Sequence, residues 1–165
     1  MRYRPAATVL LTATLSLDAC TNTAKDSSMT HSANHRVAAL RAAYDAFNRG
    51  DIDSAVQPLD AHVEWTEPAE FPGGGTYTGP DAVKHYLSQS REAWAECRSE
   101  PEQLIPVGDR VVVFVHARVR PKDSSTYRDV FLADVYTFRA DRVIQMRAFA
   151  DRQQALDWAQ TNPAP

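Results

Sequence analysis

The sequence predicts a single domain of the α+β class. In the first half of the chain, apolar residues recur every three or four positions, which is the spacing of one face of a helix. In the second half they alternate with polar residues, as in strands. Helices that precede strands in this way are typical of α+β folds, where the helices pack on one face of a sheet. The length of 165 residues suits one domain.

Three helices are predicted in the first half. The first covers Arg36–Asn48 and stops at Gly50, a residue suited to the left-handed position after a helix. Its apolar stripe consists of Val37, Leu40, Tyr44 and Phe47. Asp51 is placed to cap a short second helix that ends before Pro58. Pro80 takes the first position of the third helix, where its missing N–H costs nothing.

Strands dominate the remainder of the chain. The segment Glu67–Gly75 is predicted to be a loop, because its three consecutive glycines would lose too much backbone freedom inside a strand or helix. The last four strands follow one another through short turns, which predicts an antiparallel meander. The five predicted strands are His62–Trp65, Glu100–Pro106, Arg110–Arg120, Tyr127–Phe138 and Val143–Ala150.

The first 28 residues have the layout of a secretory signal, with Arg2 and Arg4 before the apolar or small run Ala6–Leu17. This run is shorter than the roughly 20 residues of a membrane-spanning helix. The end of the run, up to Cys20, resembles the bacterial lipobox, whose cysteine becomes lipidated, although Asp18 stands where that pattern has a small or apolar residue. The alternative is that Met29 is the true start and the protein is cytoplasmic.

We therefore expect an exported protein that is attached to the membrane through a lipidated Cys20. The expected organisation is a signal peptide over residues 1–20, a polar linker over 21–34, one folded domain over 35–160 and a tail over 161–165.

Composition excludes several functions. The formal net charge of −3 leaves no basic surplus to neutralise a phosphate backbone, so nucleic acid is not an expected partner. The sequence contains no CxxC, HExxH or GxxxxGK motif, and no GxGxxG after a strand, so neither a metal nor a nucleotide cofactor is expected. Cys97 is the only cysteine after residue 28 and is expected to be a small core residue.

Two acidic residues stand out. Asp134 alternates with apolar residues and shares one strand face with Val130, Leu132, Tyr136 and Phe138. Burial there would raise its pKa and suit it to proton transfer, unless it is a structural aspartate bonded to the backbone or an arginine. Glu67 stands at the start of the predicted loop, where a solvated carboxylate is the simpler interpretation.

Several sequence fragments, taken in their order and spacing, resemble the SnoaL-like branch of the nuclear transport factor two-like superfamily. The resemblance covers about residues 35–160 and implies a cone, in which a strongly bent antiparallel sheet wraps around a long first helix and leaves an apolar pocket at its open end. The fragments are Tyr44–Asp51, His62–Trp65, Tyr77–Gly79, Val107–Val112, Tyr136–Val143 and Asp151–Leu156.

The superfamily includes ketosteroid isomerases, polyketide cyclases, dehydratases, epoxide hydrolases and proteins that only bind ligands. Similarity to the ketosteroid isomerases implies Glu67, in an acid-proline step after the first strand, as general base and Asp134 as its proton-donating partner. The tyrosine of their first helix corresponds to Ala43, and Tyr44 lies one residue on, about 100° around the helix. Tyr86 on the third helix is the expected substitute.

The predicted function is the binding of a small, largely apolar molecule, with metal-free isomerase, cyclase or hydrolase-type acid/base chemistry. The alternative is a non-catalytic module for ligand binding or dimerisation, since the fold alone does not determine function. A homodimer formed through the sheet is expected. The predicted ligand-binding residues are Trp65, Tyr86, Tyr136 and Met146.

Overall fold

The structure, a computed structural model, describes the backbone of residues 18–162 and the side chains of residues 29–162. The predicted signal segment lies mostly outside these residues, as does the side chain of Cys20. The helices are α1 (Asp18–Arg49), α2 (Ile52–Ala55), α3 (Pro80–Glu92) and α4 (Arg152–Thr161). The strands are β1 (Leu59–Glu67), β2 (Gly75–Thr78), β3 (Glu96–Val107), β4 (Arg110–Arg120), β5 (Arg128–Arg139) and β6 (Arg142–Phe149).

The first helix begins well before its predicted start at Arg36. Residues 18–35 carry no apolar stripe, but they contain neither glycine nor proline, and each added residue extends the helix by one hydrogen bond. The polar segment predicted as a linker is therefore helical. Among residues 29–49 the first buried side chain is Leu40, and Arg36 and Val37 already contact the core one turn earlier.

The predicted turn chemistry after α1 is confirmed. Gly50 has a φ of +81°, the left-handed conformation that glycine adopts without strain. The Asp51 side chain then accepts a hydrogen bond from the Ser54 backbone N–H at 3.1 Å and caps α2. Pro80 opens α3, also as predicted.

A single sheet of six strands curves around α1, in the order β2-β1-β6-β5-β4-β3. The strands β3 to β6 form the predicted antiparallel meander. The sheet is nevertheless mixed, because β1 pairs in parallel with β6 and antiparallel with β2, a strand that the sequence did not predict. Parallel neighbours require a long connection, and here α3 and the meander lie between the two strands.

The two faces of the sheet pack into separate cores. The concave face packs against α1 and α3, and its buried residues include Leu40, Val63, Val113 and Phe138. The convex face is partly covered by α4, whose Ala155 and Ala159 contact Val112, Ala133 and Val135. The helix α4 was not predicted. Its start has a sequence signal, however, because an aspartate followed three positions later by a glutamine is typical of a helix N-terminus. Here the Asp151 side chain accepts a hydrogen bond from the Gln154 backbone N–H at 2.8 Å. None of the helices in the described part of the chain is long and apolar enough to span a membrane.

We predict that Phe138→Ala destabilises the fold strongly. Phe138 is 3 % exposed, and the cavity left by such a truncation typically costs about 3–5 kcal/mol in the free energy of unfolding. Urea unfolding followed by circular dichroism measures the loss. Phe131→Ala is the matched control, because Phe131 is 53 % exposed, and it should cost less than about 1 kcal/mol. Equal losses for the two variants would contradict the assignment of the core face.

Candidate functional site

A cavity of about 230 Å³ lies between α1, α3 and the concave face of the sheet. Its wall is mainly apolar and rich in aromatic rings. Phe71 and Pro72, in the loop after β1, close part of it, so the segment predicted as a loop forms one side of the cavity. The aromatic lining residues are Tyr44, Phe47, Trp65, Phe71, Tyr86, Trp94 and Tyr136.

Asp134 lies in the middle of β5, in register with Val113 of β4 and Ala148 of β6. It is 8 % exposed and lines the cavity. No ion pair among the described side chains involves it. The interpretation of Asp134 as a structural partner of an arginine therefore does not hold.

Two tyrosines form a chain of hydrogen bonds to Asp134. The Tyr44 hydroxyl donates a short hydrogen bond to Asp134 Oδ2, and the Tyr136 hydroxyl donates to the Tyr44 hydroxyl oxygen at 3.1 Å. The result is a chain of hydrogen bonds that runs from Tyr136 through Tyr44 and ends on the carboxyl group. Burial raises the pKa of both tyrosines well above the usual 10, so both remain protonated donors.

The position of Tyr44 corrects the expectation drawn from the sequence. Ala43 and Tyr44 both line the cavity, because the concave sheet surrounds more than one row of helix positions. The sequence contained a signal for this placement, because Tyr44 follows Leu40 by four residues in the apolar stripe that faces the sheet. Tyr86 does not replace it, since Tyr86 contacts Glu67 instead of Asp134.

Burial in the apolar wall and repulsion by Glu67 raise the pKa of Asp134 from its usual 3.8 to about 7. The hydrogen bond from Tyr44 opposes this rise because it stabilises the carboxylate. Asp134 therefore exchanges its proton near neutral pH.

Glu67 ends β1 and lines the same cavity as Asp134. The Trp65 indole N–H donates to Glu67 Oε1 at 2.8 Å. Burial raises the pKa of Glu67, while Trp65 and the neighbouring Tyr86 hydroxyl lower it. Glu67 is thus half-buried and held in place, and the interpretation as a solvated loop acid does not hold.

The structure brings Glu67, Asp134, Trp65, Tyr86 and Tyr136 together around one cavity. Met146, also predicted to bind ligand, lies in the core instead and is completely buried. It is in register with Trp65 on one side and Tyr136 on the other, and these two rings contact each other with centroids 6.0 Å apart. Met146 is not among the residues that line the cavity.

Sequence reasoning also missed lining residues that could react or stack with a ligand, such as Cys97 and Trp94. Cys97 and Trp94 both line the cavity, although Cys97 was expected in the core. Burial raises the pKa of the Cys97 thiol, so it is protonated at neutral pH. In residues 29–162, no three His, Cys, Asp or Glu side chains gather closely enough to hold a metal ion.

We predict that Asp134 makes the fold less stable as pH rises. Between about pH 4 and pH 7 the folded protein keeps a proton on Asp134 that the unfolded chain has lost, so stability falls with rising pH across this window. Asp134→Asn removes this dependence. Urea unfolding of both proteins at a series of pH values measures this dependence. The free energy of unfolding of the wild type minus that of the variant should decline up to about pH 7 and then level off. A difference that grows with pH would show that Asp134 is ionised in the fold.

The model of the SnoaL-like domain family matches residues 40–146, more than half of the chain. No curated protein matches the sequence. Among solved structures, TerC co-crystallised with polyporic acid is 24 % identical over 76 % of this chain and 98 % of its own, with a TM-score of 0.64. An NTF2-like protein of unknown function from Burkholderia pseudomallei is 25 % identical over 74 % of this chain and 95 % of its own, with a TM-score of 0.65.

A third similar structure is SalBIII, an epoxide hydrolase/cyclase-like enzyme of pyran ring formation in the polyether salinomycin. It is 22 % identical over 69 % of this chain and 88 % of its own, with a TM-score of 0.59. These likenesses agree with the curved sheet and N-terminal helices described above. By the match of the family model and by its fold, the chain belongs to the SnoaL-like domain family of the NTF2-like superfamily.

Proposed function

We propose that this protein binds a small, largely apolar, oxygen-bearing molecule and transforms it by acid/base catalysis, with Glu67 as base and Asp134 as acid. The observation that carries the proposal is that both carboxyl groups line one apolar cavity and interact with each other there. Buried acid pairs with raised pKa values are a frequent arrangement in catalytic sites.

The surroundings of the two carboxyl groups favour a proton on Asp134 over one on Glu67. Glu67 is half-buried and accepts a hydrogen bond from the Trp65 indole N–H, and the nearby Tyr86 hydroxyl also favours its charged form. Asp134 is buried more deeply and has one such donor, Tyr44. The charge on Glu67 disfavours a second charge on Asp134, so Asp134 retains its proton up to about pH 7. Up to that pH one group is a base and the other an acid.

Because the two tyrosine hydroxyls donate within their own hydrogen-bond chain, the acidic proton of Asp134 is the one available to the ligand. Tyr136 donates to Tyr44 and Tyr44 donates to Asp134, so neither hydroxyl hydrogen is free for a bound molecule. The second carboxyl oxygen of Asp134 carries the acidic hydrogen and donates it to an oxygen of the ligand. Where that oxygen belongs to a carbonyl group, Glu67 removes a proton from the carbon next to the carbonyl carbon. The electron pair of the broken C–H bond forms a C=C double bond, the π pair of the C=O bond moves onto the oxygen, and the proton from Asp134 completes the enol.

Cavity size limits the ligand. A volume of about 230 Å³ lies below the roughly 300–1,000 Å³ of pockets for drug-sized molecules. We therefore propose a ligand of one or two rings that stacks on aromatic walls. The neighbour SalBIII is named for pyran ring formation and TerC was crystallised with polyporic acid, and both names support an oxygenated ring compound as ligand.

We predict that Glu67→Gln abolishes proton abstraction and retains binding. The probes are small cyclic ketones and enones in D2O, with exchange of the hydrogens beside the carbonyl followed by NMR. Loss of a general base should slow exchange roughly 10²-fold or more. Binding, followed by tryptophan fluorescence, should change little because the amide keeps the size and polarity of the side chain.

The matched control is Glu64→Gln, which removes an exposed carboxylate from the same strand and should exchange at the wild-type rate. Asp134→Asn should also slow exchange while retaining binding. The non-catalytic alternative would be favoured if Glu67→Gln exchanged these hydrogens at the wild-type rate. It would also be favoured if the wild-type protein bound the probes without exchanging any hydrogen.

A homodimer is a second proposal, because the convex face carries a large exposed apolar side chain. Phe131 is 53 % exposed and its ring stacks on His116 with centroids 4.6 Å apart, so the ring is held in place towards solvent. Phe131 is therefore the residue on which we centre the proposed dimer contact.

We predict that Phe131→Asp converts the dimer to a monomer. A charge at this position would be costly to desolvate in an interface. Light scattering after size-exclusion chromatography measures the molecular mass and so distinguishes dimer from monomer. Met29→Asp, which changes another exposed apolar residue, should remain dimeric. A wild-type protein of monomer mass at micromolar concentration would contradict the proposal.

A further inference from the structure

A second cleft, of about 490 Å³, lies where the edge strand β3 meets α1 and α3. Unlike the cavity, it is lined mainly by polar and charged side chains. Cys97 lines both, so the two spaces are neighbours. The carboxyl pair Glu67 and Asp134 is not part of the cleft, which therefore needs a separate explanation.

Two arginines of the cleft stand directly opposite each other. Arg98 of β3 and Arg118 of β4 are partners in the antiparallel register. Like charges at opposed positions are destabilising. Arg98 forms an ion pair with Glu100, but Arg118 has no ion pair with any described side chain. The Arg118 guanidinium instead lies over the Tyr127 ring, 4.4 Å from its centroid.

A third arginine reaches the cleft from α3. Arg91 Nη1 donates to the Phe47 carbonyl at 2.6 Å, near the end of α1, and its guanidinium carbon lies 5.2 Å from the centroid of the Phe47 ring. These contacts fix the guanidinium in place. Within the described part of the chain, Arg91 has no carboxylate partner, and only Nη1 of its nitrogens donates a hydrogen bond.

The single carboxylate in the cleft does not balance this charge. Glu96 pairs with Arg120, at 2.7 Å and 3.0 Å, and accepts from the Tyr127 hydroxyl at 2.6 Å. These contacts lower the pKa of Glu96 below 4.5, so its charge is present but is already neutralised by Arg120. Of the three arginines that line the cleft, Arg91 and Arg118 therefore have no carboxylate partner among the described side chains, in a chain whose net charge is −3.

We propose that this cleft is an oxyanion-binding site for the carboxylate or phosphate group of a small ligand, held by the opposed pair Arg98 and Arg118 on the convex face, with Arg91 lining the same cleft from the concave side of the edge strand β3. Guanidinium groups bind such groups through paired N–H donors, and the donors of Arg91 and Arg118 are not used by any carboxylate of the described chain. The site lies outside the proposed acid/base pair and does not depend on its chemistry.

The test is isothermal titration of the full-length protein at constant ionic strength with two probes, inorganic phosphate and succinate. Saturable binding is expected for at least one of them, and the tighter probe identifies the chemistry that the site prefers. Arg118→Gln should weaken binding about tenfold, as expected for loss of a charge-assisted hydrogen bond. Arg118 is exposed and makes no hydrogen bond in the described chain, so this variant should fold normally.

The matched control is Arg128→Gln, which removes the same charge from an exposed position outside the cleft. Its binding should stay near the wild-type value. Equal weakening by the two variants would show diffuse attraction by surface charge and overturn the proposal, as would the absence of saturable binding. Glu67→Gln should bind both probes like the wild type, which separates this result from the outcome for acid/base catalysis.

Discussion

The buried carboxyl group of Asp134 is the constraint on which the rest of the site depends. A carboxyl group in the middle of a sheet, surrounded by apolar residues, is costly unless it stays neutral or meets a donor. Here α1 provides the donor through Tyr44, and Tyr136 of the same strand supports that tyrosine in turn. The first helix is thus held against the sheet by a directional contact, whereas apolar packing alone would tolerate small shifts.

The same arrangement gives the two acidic groups different properties. Glu67 lies at the end of β1, beside donors that favour its charged form. Asp134 lies in the buried middle of β5, where a charged carboxylate is disfavoured. Aromatic rings line the cavity around both, and the loop with Phe71 covers one side. A fold used for many purposes becomes specific through these few side chains, since the curved sheet by itself fixes only the shape of the cavity.

Local patterns predicted most of the elements, because periodicity, caps and turns act over a few residues. The cap at Asp51, the start of α3 at Pro80 and the meander are examples. The parallel pairing of β1 with β6 could not be predicted in this way, since it joins distant segments such as Trp65 and Met146.

The site shows the same division between local and distant information. An acidic residue among alternating apolar residues identified Asp134, and the acid-proline step identified Glu67. Their donors were harder to find. The placement of Tyr44 depends on how widely the sheet curves around α1. Met146 is completely buried between its register partners Trp65 of β1 and Tyr136 of β5 and does not line the cavity. Both facts arise from packing between elements that are far apart in sequence.

The parallel β1 and β6 pair also has a consequence for the order of folding. The meander from β3 to β6 consists of neighbouring strands joined by short turns, so it closes at small entropic cost. The β1 strand can join only when the end of the chain has reached the sheet, because its partner is the last strand. Contacts of such long sequence separation form slowly. We therefore expect Glu67, at the end of β1, to meet Asp134 late in folding, so that chains without the pairing of β1 and β6 lack the acid pair.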